Sequence, residues 1–295
     1  MGCSLWLGAQ SAPAPVHMIV TLGHFFGDQP RLLTTNDLSV TQGFGDPLPI
    51  TKLTPLRGDR AALELYVLVD NCSTCEPGGK FEELRRFIEA RPASTRVGIA
   101  YIDNGRLKIA ADPASDRARA VKALSVPAGG QPSNPFTALT ELIRTWPESG
   151  ARRAVVLISN GIDPAIGDKI LDPAAEAAIE AAQRADVTVY AVYHPSADYL
   201  NTDFLKLNSG QVELAHVANE SGGEAYFLSF GPLPSLAPFL ADIAEHLANQ
   251  YLLEFNANPP AGTGELEEVD VRSKVPGFEL MAPAKAWVPG RTPSR

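Results

Sequence analysis

Cysteine is scarce in this chain of 295 residues: three in all, at positions 3, 72 and 75, too few for a disulfide scaffold. The spacing Cys72-Ser-Thr-Cys75 permits one local pair and leaves Cys3 alone. No apolar stretch approaches the roughly 18 residues that a membrane-spanning helix needs, so no transmembrane segment is expected. Basic residues are not in excess. Lys and Arg number 25 against 34 Asp and Glu, for a net charge of -9. Without a long Lys/Arg run, the chain offers no surface for nucleic acid or anionic lipid. Histidines 17, 24, 194, 216 and 246 are scattered, with no zinc-like spacing; His216 and His246 sit in helical patterns and read as surface or core residues. A Walker loop, a Rossmann glycine fingerprint and a nucleophile-elbow serine are all missing. What remains is globular composition, 45% hydrophobic and 20% charged, enough for one large α/β core and a small accessory module.

Four stretches differ in character. Residues 1–15, MGCSLWLGAQSAPAP, resemble the back end of a secretory leader, with small residues suited to cleavage around Ala9–Ala12 but no positive n-region; a truncated leader, and an extracytoplasmic location with it, is the expectation, and a disordered tail the alternative. Residues 16–60 are β-like and turn-rich, with strands expected at Val16–Thr21 and Asp37–Thr41. From 61 to 251 the pattern changes. Buried-type apolar runs at Leu63–Val69, Val97–Ile102, Ala154–Ile158 and Val187–Val192 alternate with helical spacing around 81–88, 113–124, 137–146, 173–185, 212–219 and 236–251. A short strand is expected at Ala225–Leu228. Asp103-Asn104-Gly105 signals a hairpin, and Leu107–Ala110 then returns antiparallel. This order predicts a doubly wound α/β domain: a mostly parallel sheet with one antiparallel edge strand and helices on both faces. Residues 252–295 are β-like again. Neither flank has a core of its own, so the N- and C-terminal segments are expected to pair into one small β module.

In open parallel sheets, ligands bind beyond the carboxyl ends of the strands, where the winding reverses. Asp70-Asn-Cys-Ser-Thr74 follows the first strand of the domain, Thr137 lies at the start of a helix, and Ser159-Asn160-Gly161 follows the Ala154–Ile158 strand. A carboxylate, hydroxyls and an amide on one rim suit a hard divalent ion. Read singly, Thr137 is a helix-cap residue and Asn160 a turn-former as readily as a ligand. The cluster Glu265, Glu267, Glu268 and Asp270 reads as a solvated strand edge rather than a calcium site.

At these residues the chain resembles the von Willebrand factor type A (VWA) domain, and its flanks, with Tyr251-Leu252-Leu253 after the last helix, resemble the bacterial VWFA-related, acidobacterial-type group. The resemblance implies a metal-ion-dependent adhesion site, written Asp-x-Ser-x-Ser with a later Thr and a second Asp. Here Asp70 matches, Cys72 stands in place of the first Ser, Thr74 replaces the second, Thr137 fits the loop Thr, and Asn160 occupies the place of the second Asp. A thiol suits Mg²⁺ badly. Losing one charge at about 4 Å forfeits on the order of 4 kcal/mol at an effective dielectric of 20, and half of that already costs more than tenfold in affinity. The expectation is therefore no cofactor, or at most weak Mg²⁺ or Mn²⁺ held by Asp70, Thr74 and Thr137. In an oxidising compartment Cys72 and Cys75 could form a disulfide that removes the Cys72 sulfur from the rim. The resemblance implies a non-enzymatic adhesion or assembly module engaging another, unidentified protein through Asp70, Cys72, Thr74, Thr137 and Asn160. The alternative is a metal- or phosphate-dependent hydrolase using the same rim. Against it, the sequence offers no histidine at the rim and one assured carboxylate, Asp70, as a general base.

Overall fold

The computed structural model describes residues 12–25, 32–58, 61–70, 78–103, 105–125, 134–163, 172–195, 199–231 and 234–291. The expected roles of Cys72, Thr74 and Cys75, the disulfide included, lie outside the described residues. Three strands lead: β1 (Ala14–Phe25), β2 (Leu38–Gln42) and β3 (Ile50–Pro55). The central region follows with β4 (Leu63–Asp70), α1 (Gly78–Glu89), β5 (Thr95–Asp103), β6 (Arg106–Ala114), α2 (Arg117–Ala123) and α3 (Pro135–Thr145). It continues through β7 (Arg152–Ser159), α4 (Pro173–Ala185), β8 (Val187–Tyr193), α5 (Phe204–Glu220), β9 (Ala225–Tyr226) and α6 (Ala237–Ala248). The chain ends in β10 (Gln250–Ala257), β11 (Gly264–Ser273), β12 (Phe278–Met281) and β13 (Lys285–Pro289).

The apolar runs build a six-stranded sheet in the order β6-β5-β4-β7-β8-β9, parallel throughout except for β6, which pairs antiparallel with β5. Every residue of β4 and of β8 is buried, as a strand covered on both faces requires. Side chains alternate across the sheet. Tyr66 and Leu68 of β4 join α3, α4 and α5 in one core, while Leu65, Val67 and Val69 join α1, α2 and α6 in the other. Each fully buried Leu, Ile or Val stabilises by about 1.5–3 kcal/mol. Among the buried charges, the Glu64 carboxylate accepts from Trp146 Nε1 at 2.8 Å and pairs with Arg96 at 2.7 Å, which satisfies it on both oxygens. This is the doubly wound arrangement expected, with its antiparallel edge. Differences are local. The expected helix from Pro113 starts only at Arg117, because β6 runs on to Ala114 and Asp116 caps α2 through Ala118 N–H. The expected helix at 212–219 begins at Phe204, where Asp203 supplies the cap.

The flanking segments form two further sheets, β12-β1-β10-β3 and β13-β11-β2, around a shared core of Val16, Met18, Val20, Leu253, Phe255 and Val288 among others. In the first, β1 and β10 pair antiparallel over eight residues, from Ala14 with Ala257 to Thr21 with Gln250. Tyr251, expected to close the last helix, is instead a buried residue of β10, because α6 stops at Ala248 and only Asn249 separates it from the strand. In the acidic cluster, Glu265, Glu267 and Glu268 lie on the half of β11 that pairs with β13, and Asp270 on the half that pairs with β2, so each half has one paired side, and Glu265 and Glu268 are exposed.

The β module is welded to the larger domain by buried polar groups. Arg152 donates to the Leu247 carbonyl at 2.8 Å and to the Gln250 side chain, and Gln250 Nε2 donates to Thr21 Oγ1 at 3.2 Å. Burial pushes the Arg152 guanidinium down to about 10. Because β1 depends on β10 for its longest pairing, deleting residues 250–295 should expose the segment 14–25 to limited proteolysis. Cleavage there at least several-fold faster than in the full chain is the expected outcome, read by mass spectrometry of the fragments.

Candidate functional site

The winding reverses between β4 and β7. After β4 the chain passes through α1 to β5 on one side, and β7, β8 and β9 are laid down on the other. The carboxyl ends of β4 and β7 therefore flank the switch point, and their parallel register aligns Val69 with Ile158. Asp70 and Ser159 follow as direct neighbours. Ser159 Oγ donates to Asp70 Oδ2 at 2.7 Å, with both residues buried, and accepts from Gly161 N–H at 3.1 Å. Both residues were expected at this rim from their places after the two strands; the hydrogen bond that ties them, and their burial, come from the packing.

The loop after β7 is tightly shaped. Asn160 Oδ1 accepts from Ile162 N–H at 2.9 Å, an Asx turn, so the amide oxygen is engaged with its own loop. Gly161 has φ +70°, and a Cβ at this position would lie 2.1 Å from the Gly210 carbonyl oxygen of α5. Glycine is required there both by conformation and by the close approach of α5.

Across the crevice, α3 is capped by Asn134, not Thr137. Asn134 Oδ1 accepts from the N–H groups of Phe136 and Thr137 at 2.9 and 3.0 Å. The Thr137 residue is exposed on the first turn. Asn134 Nδ2 donates to Asp163 Oδ2 at 2.5 Å, tying the start of α3 to the segment after β7. Thus two of the three expected loops are bridged through Asn134 and Asp163, and Asp70 is bridged to the second through Ser159.

The rim is richer in titratable groups than the sequence suggested, and the expectation of no histidine there is overturned. His194 directly follows β8, its N–H bonded to the Ser159 carbonyl at 2.8 Å and its Nε2 3.0 Å from Lys80 Nζ of α1. Burial first, and the Lys80 charge second, push the imidazole down to about 4, so it is neutral at pH 7 and accepts from the ammonium. Burial also lowers Lys80. The signal for His194 was present in the sequence. It is the first residue beyond an apolar run, the same rule that singled out Asp70. Nor does Asp70 stand alone. Asp163 is at the crevice, and behind it the Glu213 carboxylate accepts from Asp172 N–H at 3.3 Å, both of these carboxyls being pushed up by burial.

Beside the crevice the surface turns apolar. Leu200, Phe204 and Leu205, ahead of and within the first turn of α5, and Phe227 and Leu228, just past β9, are exposed. The ring of Phe204 meets that of Phe230 edge-on at 5.1 Å, joining the two segments into one lip.

No protein-family model and no curated protein sequence matches this chain. Among solved structures it is similar to the vWF domain of the type V pili tip protein Mfa5 from Porphyromonas gingivalis, at 12% identity and a TM-score of 0.44, over 62% of this chain and 94% of that one. It is also similar to the SpRpn10 VWA domain, at 14% identity and a TM-score of 0.41, over 61% of this chain and 94% of that one.

Two outcomes test this geometry. Gly161→Ala should destabilise the protein by at least about 2 kcal/mol in urea unfolding, since strain at positive φ adds to a backbone clash. The second concerns pH. His194 is depressed in the folded state relative to its ordinary value near 6.5, so its contribution is complete above that value and is lost as pH falls towards about 4. The difference in unfolding free energy between wild type and His194→Gln should shrink by up to about 3 kcal/mol across that window.

Proposed function

We propose that this chain is a non-enzymatic protein-interaction module of VWA type that docks a partner protein at the strand-end rim around Asp70, Thr137 and Asn160. Cys72 and Thr74 belong to the same proposed surface. The observation that carries the reading is the exposed apolar lip of Leu200, Phe204, Leu205, Phe227 and Leu228 beside a polar crevice whose groups are largely satisfied by one another. Contiguous exposed apolar surface rimmed by polar groups marks protein-docking sites. The residue matches in the sequence support the same family, including the bacterial VWFA-related group. The solved VWA-type domains are too distant to add to the argument.

Among the described residues, the donor set of the rim argues against a tightly held dication. Asp70 Oδ2 takes the Ser159 hydroxyl, Asn160 Oδ1 takes the Ile162 N–H, and Asp163 Oδ2 takes the Asn134 amide. A cation would compete for carboxylates already engaged in hydrogen bonds, and an amide, Asn160, stands where an intact adhesion site has its second Asp, with Asp163 as the further carboxylate after β7. Docking is accordingly assigned to contacts by the protein itself, with divalent dependence weak or absent.

His194 gives the hydrolase alternative a histidine, but a poor one. A base held near 4, buried and bonded to Lys80, is far from the operating pH at which general-base catalysis is efficient.

The test is affinity capture from cell extract with the wild type and a Leu205→Asp/Leu228→Asp variant, followed by a thermal-shift series in Mg²⁺, Mn²⁺ and Ca²⁺. A partner retained by the wild type and lost by the variant, with Tm unchanged by the cations, is the expected result. A Tm rise abolished in Asp70→Ala would instead restore a metal-dependent rim.

A further inference from the structure

A second cluster of ligating side chains lies away from the rim, where the edge strand β9 meets α6. Glu224 immediately precedes β9, and Asp242 and His246 lie four residues apart on one face of α6. One ligand atom from each falls within 4.8 Å of the others. The separations from His246 Nδ1 are 3.7 Å to Glu224 Oε2 and 3.8 Å to Asp242 Oδ2. The hydroxyl of Tyr226 lies among them, 2.7 Å from Asp242 Oδ2, 3.2 Å from His246 Nδ1 and 3.5 Å from Glu224 Oε2.

We infer that Glu224, Asp242 and His246 form a structural Zn²⁺ site. Zinc takes imidazole nitrogen and carboxylate oxygen at about 2.0–2.2 Å, so tetrahedral ligand atoms stand roughly 3.4 Å apart. The separations about His246 need to close by only a few tenths of an ångström. A mixed nitrogen and oxygen set points to zinc and away from calcium or magnesium, which take oxygen alone. Pre-organisation is supplied by packing. The His246 ring is buried and stacks on Tyr190 at a centroid distance of 6.1 Å and 23° between planes, which fixes the direction of Nδ1. The Tyr226 hydroxyl supplies a third oxygen, as the fourth ligand atom. Asp242 and Glu224 retain partial exposure, which gives an ion a path from solvent.

The position gives the site a purpose. α6 passes through Asn249 directly into β10, the strand on which the module's first sheet is built. An ion bridging Glu224 to α6 clamps the last strand of the large sheet to the helix that carries the module. The site is independent of the rim, and its test does not involve Asp70.

Tag-free full-length protein stripped with chelator and titrated with ZnCl₂ should bind one equivalent by metal analysis and calorimetry, with a rise in Tm. Glu224→Gln and Asp242→Asn should each weaken affinity at least tenfold. Asp70→Ala and Cys72→Ser/Cys75→Ser should leave it unchanged. His246→Gln alters a core position, so the partly exposed Glu224 carries the test if that variant does not fold. Absence of stoichiometric zinc, or affinity undiminished in both carboxylate variants, or loss of zinc on removing Asp70 or the thiols, would overturn the assignment.

Discussion

The parallel pairing of β4 with β7 is the constraint on which the rest of the molecule depends. It places two strands that are distant in sequence side by side, in a register running from Leu63 with Arg152 to Val69 with Ile158. Within the large sheet, β5 and β6 lie on one side of this pair and β8 and β9 on the other. The crevice at its carboxyl end is thus a consequence of winding, not of any local motif. The register also decides the chemistry there, because it sets Asp70 next to Ser159 and so converts a strand-end carboxylate into one arm of a buried hydrogen bond.

The same pair transmits order to the β module. Arg152 opens β7, and from there its guanidinium reaches the end of α6 and the Gln250 side chain at the start of β10. Gln250 in turn reaches Thr21 of β1 and the Tyr190 hydroxyl of β8. A buried guanidinium is costly unless its hydrogen bonds are made, so this junction tolerates little displacement of the module. The two ends of the chain have few apolar residues each. Their combined core becomes sufficient only when β1 and β10 are brought together.

Legibility followed the range of the interactions involved. The runs at Leu63–Val69, Ala154–Ile158 and Val187–Val192 announced themselves because a strand buried on both faces cannot alternate. Helix starts were displaced where a capping side chain set the boundary, as with Asp203 ahead of α5 and Asn134 ahead of α3. Strand β3 was not legible at all. Its Ile50–Pro55 segment pairs with β10 some two hundred residues away, and its own pattern does not alternate cleanly, with Thr54 as its buried residue. At the rim, Asp70 and Asn160 were found from their place after apolar runs. His194 obeys the same rule, but its isolation from the other histidines leaves it without a metal-type spacing to mark it.

By itself the amino-acid sequence determined the class of the fold, since the alternation of fully apolar and amphipathic segments admits only a covered, mostly parallel sheet. It also determined which residues stand at strand ends. Tertiary structure alone decided what those residues face: Ser159 beneath Asp70, Lys80 against His194, and Asn134 holding Asp163. It alone gathered Glu224, Asp242 and His246 at the foot of the module. The reason is physical. Periodicity records the burial of each segment against an averaged environment, whereas a hydrogen bond or ligand set depends on a few atoms from separate segments meeting within an ångström, and only the packed chain fixes that meeting.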